Sequence, residues 1–447
     1  MNKNILLAGQ SLWRNKSSEN KLISENGLYE LVLQEHDGNL VLYEINSNEP
    51  FPVFASNTQN SKVEAAVFQE DGNFVLYENG ANRKNPKWAS STENTLAHKL
   101  KLENSGAICL YDKNDKLVFV INSQRWMSAL NDSLRLKDIC MPGSHDAGMY
   151  STSFFQLGQG LALTQSKNIR EQLDFGIRYF DLRPEYDSSK SGENRFNVYH
   201  GPAAGPLIKD ILNDIKSFFE HPNGKKETVI IGLTHFKKFN NDVKKDLLKF
   251  IIEKLGGHIY KLSHYDNLGK VKLSEVSGKI IFLLDVGVKE FNELTSLNNI
   301  STFFSTRTFG SCVFDEYSNT MDYTEMYKKQ INYFKSFNEE RLFLLNWTLT
   351  PPDDTMGKFL IAQQEIEKSL FPVISLIKKL VGIDPDKINV KKFAEEINPH
   401  LSRWGHAREG LFKPNQHGKI VNILNGDFWE EANKDVLKVC FEIMNNR

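Results

Sequence analysis

Two histidines stand in short, glycine-punctuated contexts, Gly143-Ser144-His145-Asp146-Ala147-Gly148 and Tyr199-His200-Gly201, with Phe180-Asp181-Leu182-Arg183-Pro184 between them. Cleavage of a phosphodiester by general acid-base catalysis needs these side-chain types. One imidazole takes the proton of the attacking oxygen, a second protonates the leaving oxygen, and a fixed cation meets the charge on phosphorus. An enzyme is therefore the leading reading. A lone histidine is usually a hydrogen-bonded surface or core residue, and eight of the other nine histidines are read that way, His235 being the exception.

The elements that must carry these residues lie after Trp126, where strand-sized apolar runs alternate with helical stretches, the pattern of an α/β protein with a parallel sheet. The expected strands are 136–141, 177–182, 195–199, 228–233, 279–284, 341–348 and 420–424, with a poorly marked one near 301–306. About 320 residues of this kind suit a (β/α)₈-type barrel. In that frame His145 follows the first strand and Asp181 and Arg183 close the second. His200 ends the third, His235 the fourth, Asp285 the fifth and Asp427 the eighth. All would meet on one rim, at the carboxyl ends of the strands.

Residues 1 to about 122 hold a repeat: Leu33-Gln34-Glu35-His36-Asp37-Gly38-Asn39-Leu40-Val41-Leu42-Tyr43, then Phe68-Gln69-Glu70-Asp71-Gly72-Asn73-Phe74-Val75-Leu76-Tyr77, then a worn copy ending at Tyr111. The three tyrosines are 34 residues apart. Asp-Gly before alternating apolar residues is a hairpin signal, so each copy reads as a turn feeding a strand. The repeat resembles the bulb-type mannose-binding lectins, whose motif is Gln-x-Asp-x-Asn-x-Val-x-Tyr. Only the second copy matches fully, with Gln69, Asp71, Asn73, Val75 and Tyr77. In the first, Glu35 stands at the Gln position beside Asp37, Asn39, Val41 and Tyr43; in the third, Ser105, Ala107 and Cys109 replace the binding residues. The resemblance implies a β-prism over 1–122, with one complete sugar site, one incomplete and one lost. A period of two would set the five side chains on one strand face. The alternative is a scaffold that binds no sugar.

Composition narrows the classes. Lys plus Arg number 55 against 56 Asp plus Glu, which argues against a protein built to hold nucleic acid. The longest apolar runs are strand-sized, too short to span a bilayer, and no secretory signal is evident at the N-terminus. Four cysteines lie far apart without CxxC spacing and read as buried free thiols rather than a zinc or disulfide framework.

Trp126-Met127, Leu134-Arg135-Leu136, Pro142-Gly143-Ser144-His145-Asp146, Phe180-Asp181-Leu182-Arg183, Tyr199-His200-Gly201 and Leu349-Thr350-Pro351 together resemble the phosphatidylinositol-specific phospholipase C family, in particular its X-domain-only and bacterial members. Over 126–447 the resemblance implies a TIM-like barrel. His145 would be the general base on the inositol 2-hydroxyl, His200 the acid for the departing diacylglycerol oxygen, and Arg183 the cation on the phosphoryl oxygens. The product would be a cyclic inositol phosphate. Asp427 is the candidate carboxylate for orienting His145, and Asp146 for His200. Asp181 either holds Arg183 or touches substrate. His235 and Asp285 either contact inositol or shape the wall.

The calcium-dependent relatives carry acidic ligands near the second strand, where a guanidinium would repel a divalent ion. No metal or other cofactor is therefore expected. Phe154, Phe155 and Leu157, in what should be a rim loop, either pack inward or enter a lipid interface.

The expectation is a multidomain chain, an all-β prism followed by an α/β barrel, cleaving phosphatidylinositol-type lipid at a membrane surface with mannose-type glycans as targeting partners. Cleavage of glycosylphosphatidylinositol anchors and a non-catalytic, toxin-like lectin are the alternatives. Release from the cell without a signal peptide is expected, with a cytoplasmic location as the alternative.

Overall fold

The computed structural model describes residues 3–45, 49–80, 82–152, 160, 162–261, 267–296, 300, 308–350, 389–402, 407–432 and 435–447. It divides into two compact units, Met1–Asn131 with Pro222–Glu227, and Asp132–His221 with Thr228–Arg447.

The first unit is all-β: β1 (Ile5–Leu7), β2 (Ser11–Trp13), β3 (Lys21–Ile23), β4 (Tyr29–Leu33), β5 (Leu40–Glu44), β6 (Phe51–Ala55), β7 (Ala65–Phe68), β8 (Phe74–Asn79), β9 (Lys84–Ala89), β10 (Lys99–Leu102), β11 (Ile108–Tyr111) and β12 (Leu117–Val120). They form three four-stranded antiparallel sheets, β3-β4-β5-β6, β2-β7-β8-β9 and β1-β10-β11-β12. Each repeat supplies one hairpin, β4–β5, β7–β8 or β10–β11, and the turns hold Gly38, Gly72 and Gly106 at φ +78°, +88° and +79°. At Gly38 a Cβ would come within 3.0 Å of the Val63 backbone nitrogen, so glycine is needed there for space as well as for φ. Alternate residues Leu31, Leu33, Leu40 and Leu42 are fully buried, as period-two patterning requires. Pro222–Glu227 belongs to this unit because buried Glu227 accepts hydrogen bonds from the N–H groups of Met127 and Ser128, and Asn223 Nδ2 donates to Val53 O.

The second unit is built on β13 (Met141–Ser144), β14 (Tyr179–Leu182), β15 (Pro184–Tyr186), β16 (Phe196–His200), β17 (Ala203–Leu207), β18 (Thr228–Leu233), β19 (Lys279–Leu284), β20 (Val313–Asp315), β21 (Leu342–Trp347) and β22 (Ile423–Gly426). Seven of these form one parallel sheet in the order β19-β18-β14-β13-β22-β21-β20. Chain order is consecutive around the sheet, with β22 returning to pair with β13. An isolated parallel bridge, Leu284 to Thr308, stands between the two edges. Helices separate the strands: α1 (Ile169–Phe175), α2 (Ile208–Glu220), α3 (Asn241–Leu255), α4 (Val288–Thr295), α5 (Tyr323–Ser336), α6 (Val390–Ile397) and α7 (Val436–Asn445). β18 and β21 are buried at every residue, as strands covered on both faces must be, and α2 turns Ile208, Ile211, Leu212, Ile215, Phe218 and Phe219 into the core.

The strand assignments need two corrections. The expected first strand, 136–141, is a 3₁₀ turn over Leu136–Asp138, and the strand proper is Met141–Ser144. Pro142-Gly143 looks like a stop but lies in the ladder, because a Cβ on Gly143 would sit 2.8 Å from Ile423 Cγ2; close strand packing requires the glycine. The expected third strand is β16, and it belongs to a separate antiparallel sheet, β15-β16-β17, so β14 pairs directly with β18. The segment 301–306 lies outside the described residues; the strand before β21 is the three-residue β20. Eight strands are expected, and the described residues contribute seven. All four cysteines are free and buried.

Candidate active site

Adjacent parallel strands end level with one another, so side chains just past β13, β14, β18, β20 and β22 gather at one end of the sheet. His145 follows β13. Its backbone N–H donates to Gly426 O at 3.1 Å, and its carbonyl accepts from Gln165 Nε2 at 2.8 Å. Asp146 is next, at φ +41°, a left-handed conformation that costs a non-glycine residue of order 1 kcal/mol. It is held there by Thr164 Oγ1 donating to its carbonyl and by Ala147 N–H donating to Asp181 O, both at 2.8 Å.

His145 is buried, with Nδ1 2.9 Å from Asp427 Oδ1 and Nε2 2.8 Å from Arg183 Nη2. A guanidinium nitrogen can only donate, so Nε2 is the acceptor, the ring proton lies on Nδ1, and Nδ1–H donates to Asp427. Arg183 is held on every side. Nε lies 3.1 Å from Asp181 Oδ2, Nη1 3.0 Å from Asp146 Oδ2, and Nη2 donates also to the Tyr317 hydroxyl at 3.0 Å. His200, the last residue of β16, points Nε2 at Asp146 Oδ2 across 3.7 Å, and the two imidazole centroids are 6.5 Å apart. His145, His200, Arg183, Asp146, Asp181 and Asp427 are thus one cluster.

The protonation pattern follows from these neighbours. Burial lowers the pKa of His145, but the adjacent Asp427 carboxylate outweighs it and the net movement is upward. Burial, with Arg183 and His145 as cationic neighbours, pushes His200 down to about 4. Burial raises Asp146 to about 6 against the pull of Arg183, whereas at Asp181 the Arg183 charge overcomes burial and holds the carboxyl below its ordinary range.

Three participants escape sequence reasoning. Tyr317 packs its ring 5.8 Å from His145, Thr234 donates a short hydrogen bond to Asp181 Oδ1, and Asp315, pushed up to about 6 by burial, accepts from Asn346 Nδ2. Tyr317 and Asp315 come from the end of a three-residue strand that has no periodic signal. His235, at φ +48°, is exposed, and its carbonyl accepts from the Tyr199 hydroxyl at 2.7 Å. Asp285 is exposed, and among the described residues no hydrogen bond or ion pair links its side chain to the cluster. Phe154, Phe155 and Leu157 lie outside the described residues.

Beyond Asp427, Glu430 is 8% exposed, and among the described residues no other residue hydrogen-bonds its carboxyl oxygens. Burial raises its pKa to about 7 against its own backbone N–H and Lys167, with Glu431 and Glu171 adding to the shift. A carboxyl whose folded pKa lies above its unfolded one stabilises the fold fully below the unfolded pKa near 4.5 and loses that contribution as pH rises through about 7. Glu430→Gln is therefore expected to stabilise the protein by about 1–3 kcal/mol at pH 8 and by nothing at pH 4. Denaturant unfolding at the two pH values checks this.

In the first unit the proposed sugar motif is not a strand face. Only Val75 and Tyr77 lie on β8, where they are buried; Gln69, Asp71 and Asn73 belong to the turn before it, whose left-handed Gly72 breaks the period of two. Asp71 Oδ1 accepts from Asn73 N–H, Asn73 Oδ1 accepts from Ser90 and Thr92, and Gln69 Nε2 donates to the Tyr77 hydroxyl at 2.8 Å. The first repeat copies this: Asp37 takes Asn39 N–H, and Asn39 takes Ser56 and Thr58. Val41 is buried on β5, and Tyr43 accepts from Gln34 Nε2 at 2.7 Å. Glu35 therefore does not replace the glutamine. One extra residue, His36, moves the glutamine back to position 34.

Residues 140–284, which hold most of the cluster, match the sequence profile of the family described as phosphatidylinositol-specific phospholipase C, X domain. The 1-phosphatidylinositol phosphodiesterase of Listeria monocytogenes is 30% identical over 173 residues, 38% of this chain and 51% of the relative. The variant-surface-glycoprotein phospholipase C of Trypanosoma brucei brucei is 28% identical over 162 residues, 30% of this chain and 44% of the relative. Among solved structures, the phosphatidylinositol-specific phospholipase C from Listeria monocytogenes is similar with a TM-score of 0.45 and 22% identity, over 73% of this chain and 99% of that one. The similarity to bacterial phosphatidylinositol-specific phospholipases C thus rests on the X-domain match over residues 140–284 of the second unit, and the chain spans about half the length of the curated relatives it matches.

Proposed function

We propose that this chain cleaves phosphatidylinositol-type lipids by transfer of the phosphoryl group to the neighbouring inositol hydroxyl. His145 Nε2 takes the proton of the 2-hydroxyl, whose oxygen attacks phosphorus. The bond from phosphorus to the diacylglycerol oxygen breaks, and His200 supplies that oxygen with a proton. Arg183 meets the charge on the phosphoryl oxygens. The products are diacylglycerol and a cyclic inositol phosphate. The observation that carries this reading is the chain of contacts Asp427, His145, Arg183 and Asp146, with His200 at its end, on a segment matching the X domain. Asp146 and Asp181, the carboxylates nearest the reacting position, are already paired with Arg183, which supports a mechanism without a divalent cation.

A glycosylated inositol lipid is the second substrate in this proposal; the trypanosomal relative, named as a phospholipase C of a variant surface glycoprotein, favours it. For the first unit we propose contact with mannose-type glycans, supported by the identical Gln-Tyr pairs of the first two repeats.

Liposomes containing phosphatidylinositol, incubated with the protein and excess chelator, are expected to release cyclic inositol phosphate. Absence of product, or product only with added calcium, overturns the mechanism. Retention on immobilised mannan supports the glycan role, and passage without delay removes that role while leaving the lipase reading in place.

A further inference from the structure

The nitrogen that must act as the base is already in use. His145 Nε2 accepts a hydrogen bond from Arg183 Nη2 at 2.8 Å, and the other hydrogen of Nη2 goes to the Tyr317 hydroxyl at 3.0 Å. With Nε donating to Asp181, three of the five guanidinium N–H groups have hydrogen-bond acceptors within the protein, and Nη1 is ion-paired with Asp146 Oδ2 at 3.0 Å. An imidazole nitrogen whose lone pair holds a donated hydrogen cannot take a second proton. If His145 were protonated at Nε2, two N–H groups would face each other across 2.8 Å. Proton transfer to His145 and its contact with Arg183 are mutually exclusive.

We infer that Arg183 is a latch on His145 that an anionic phosphoryl group opens: the anion draws Nη2 off the ring nitrogen, and only then is the base free. The inference rests on the lipid-cleavage reading and deepens it, since it assigns how that site is regulated. The exchange runs in the right direction because a phosphoryl oxygen is a charged acceptor and a neutral imidazole is not, so the guanidinium trades an ion–neutral hydrogen bond for an ion pair whose geometry suits its planar fork. A two-pronged grip on phosphate also needs an N–H from Nη2, and both of those are committed. Asp181 and Asp146 hold the other two nitrogens, so the guanidinium can pivot about fixed anchors without leaving the site.

The same movement affects the acid. Arg183 is among the charges that hold His200 neutral, so a guanidinium neutralised by phosphate returns proton affinity to His200 as it frees His145. The arrangement favours phosphodiesters over polyols: a hydroxylated ring without an anion leaves the latch closed, and a hydroxyl near His145 meets no available base.

Nitrogen-15 NMR of histidine-labelled protein, with inorganic phosphate and free inositol as separate probes, tests this alongside a crystal structure of the phosphate complex. Without probe, His145 should be the neutral Nδ1–H form with Nε2 as hydrogen-bond acceptor. Phosphate should raise its proton affinity at least tenfold and move Arg183 Nη2 beyond about 3.5 Å from Nε2; inositol should do neither. The latch is overturned by an Nε2–H tautomer in the unliganded protein, by an unbroken contact in the phosphate complex, or by failure of phosphate to bind. The liposome assay on the same preparation separates the two readings. Cleavage with an unbroken contact removes the latch alone, and an opening latch without cleavage removes the lipase reading alone.

Discussion

His145→Ala should slow release of cyclic inositol phosphate from phosphatidylinositol vesicles by about 10²–10⁴-fold, the range a positioned general base contributes. His200→Ala should slow it by a similar factor. The two losses differ in kind. Without His145 the attacking hydroxyl has no acceptor for its proton, whatever the leaving group. Without His200 the leaving oxygen must depart as an alkoxide, so a substrate with a more acidic leaving group, such as a nitrophenyl ester of inositol phosphate, should regain much of the lost rate in His200→Ala and none in His145→Ala. Equal loss on both substrates in both variants would remove the division of roles. Neither change should unfold the protein, because neither histidine belongs to the apolar core, the contacts His145 loses to Asp427 and Arg183 are polar, and His200 keeps part of its surface in water. Thermal unfolding of each variant provides that control.

The parts of this site that were legible in the sequence are those announced by an uninterrupted apolar run. β18, β19 and β21 read as strands because five or more consecutive residues are buried, and Asp427 was found because it closes a run that ends in β22. β13 was misplaced because Pro142-Gly143 violates local strand propensity; the ladder tolerates the pair only because neighbours on both sides supply the pairing. That is a tertiary reason, invisible in one segment. Tyr317 and Asp315 were missed on similar grounds, since a three-residue strand leaves no period to detect. His200 reads in the sequence as the end of a barrel strand, yet it arrives from the antiparallel β16, outside the parallel sheet. In the first unit the Asp-Gly turns were plain, while the glutamine partner of Tyr43 was hidden by a one-residue insertion that only the hydrogen bond from Gln34 reveals.

Asp427→Asn should cost about 10²–10⁴ in kcat while leaving KM for vesicles and the thermal midpoint nearly unchanged. The carboxylate has two tasks. It fixes the proton on Nδ1, which leaves Nε2 as the acceptor, and it supplies the charge that lets the ring become an imidazolium when the substrate hydroxyl is deprotonated. An asparagine whose amide nitrogen faces Nδ1 turns the tautomer over, and Nε2–H then meets the donating Arg183 at 2.8 Å. With its oxygen facing Nδ1 it keeps the tautomer but brings no charge, so the imidazolium goes unstabilised. Either orientation is harmful; in the Ser-His-Asp triad the same change costs about 10⁴ through the wrong tautomer. The pH profile supplies the second readout. Asp427 is the main group raising the pKa of His145, so its neutralisation lowers that pKa, and the acid limb of the profile, where His145 must lose its proton to serve as base, should move to lower pH as the plateau falls. A carboxylate that merely braced the loop would lower the plateau and leave the limb in place. Its backbone contact, Asp427 O accepting from Asn398 Nδ2 at 2.9 Å, survives the substitution, so a shifted limb on an intact fold isolates the charge.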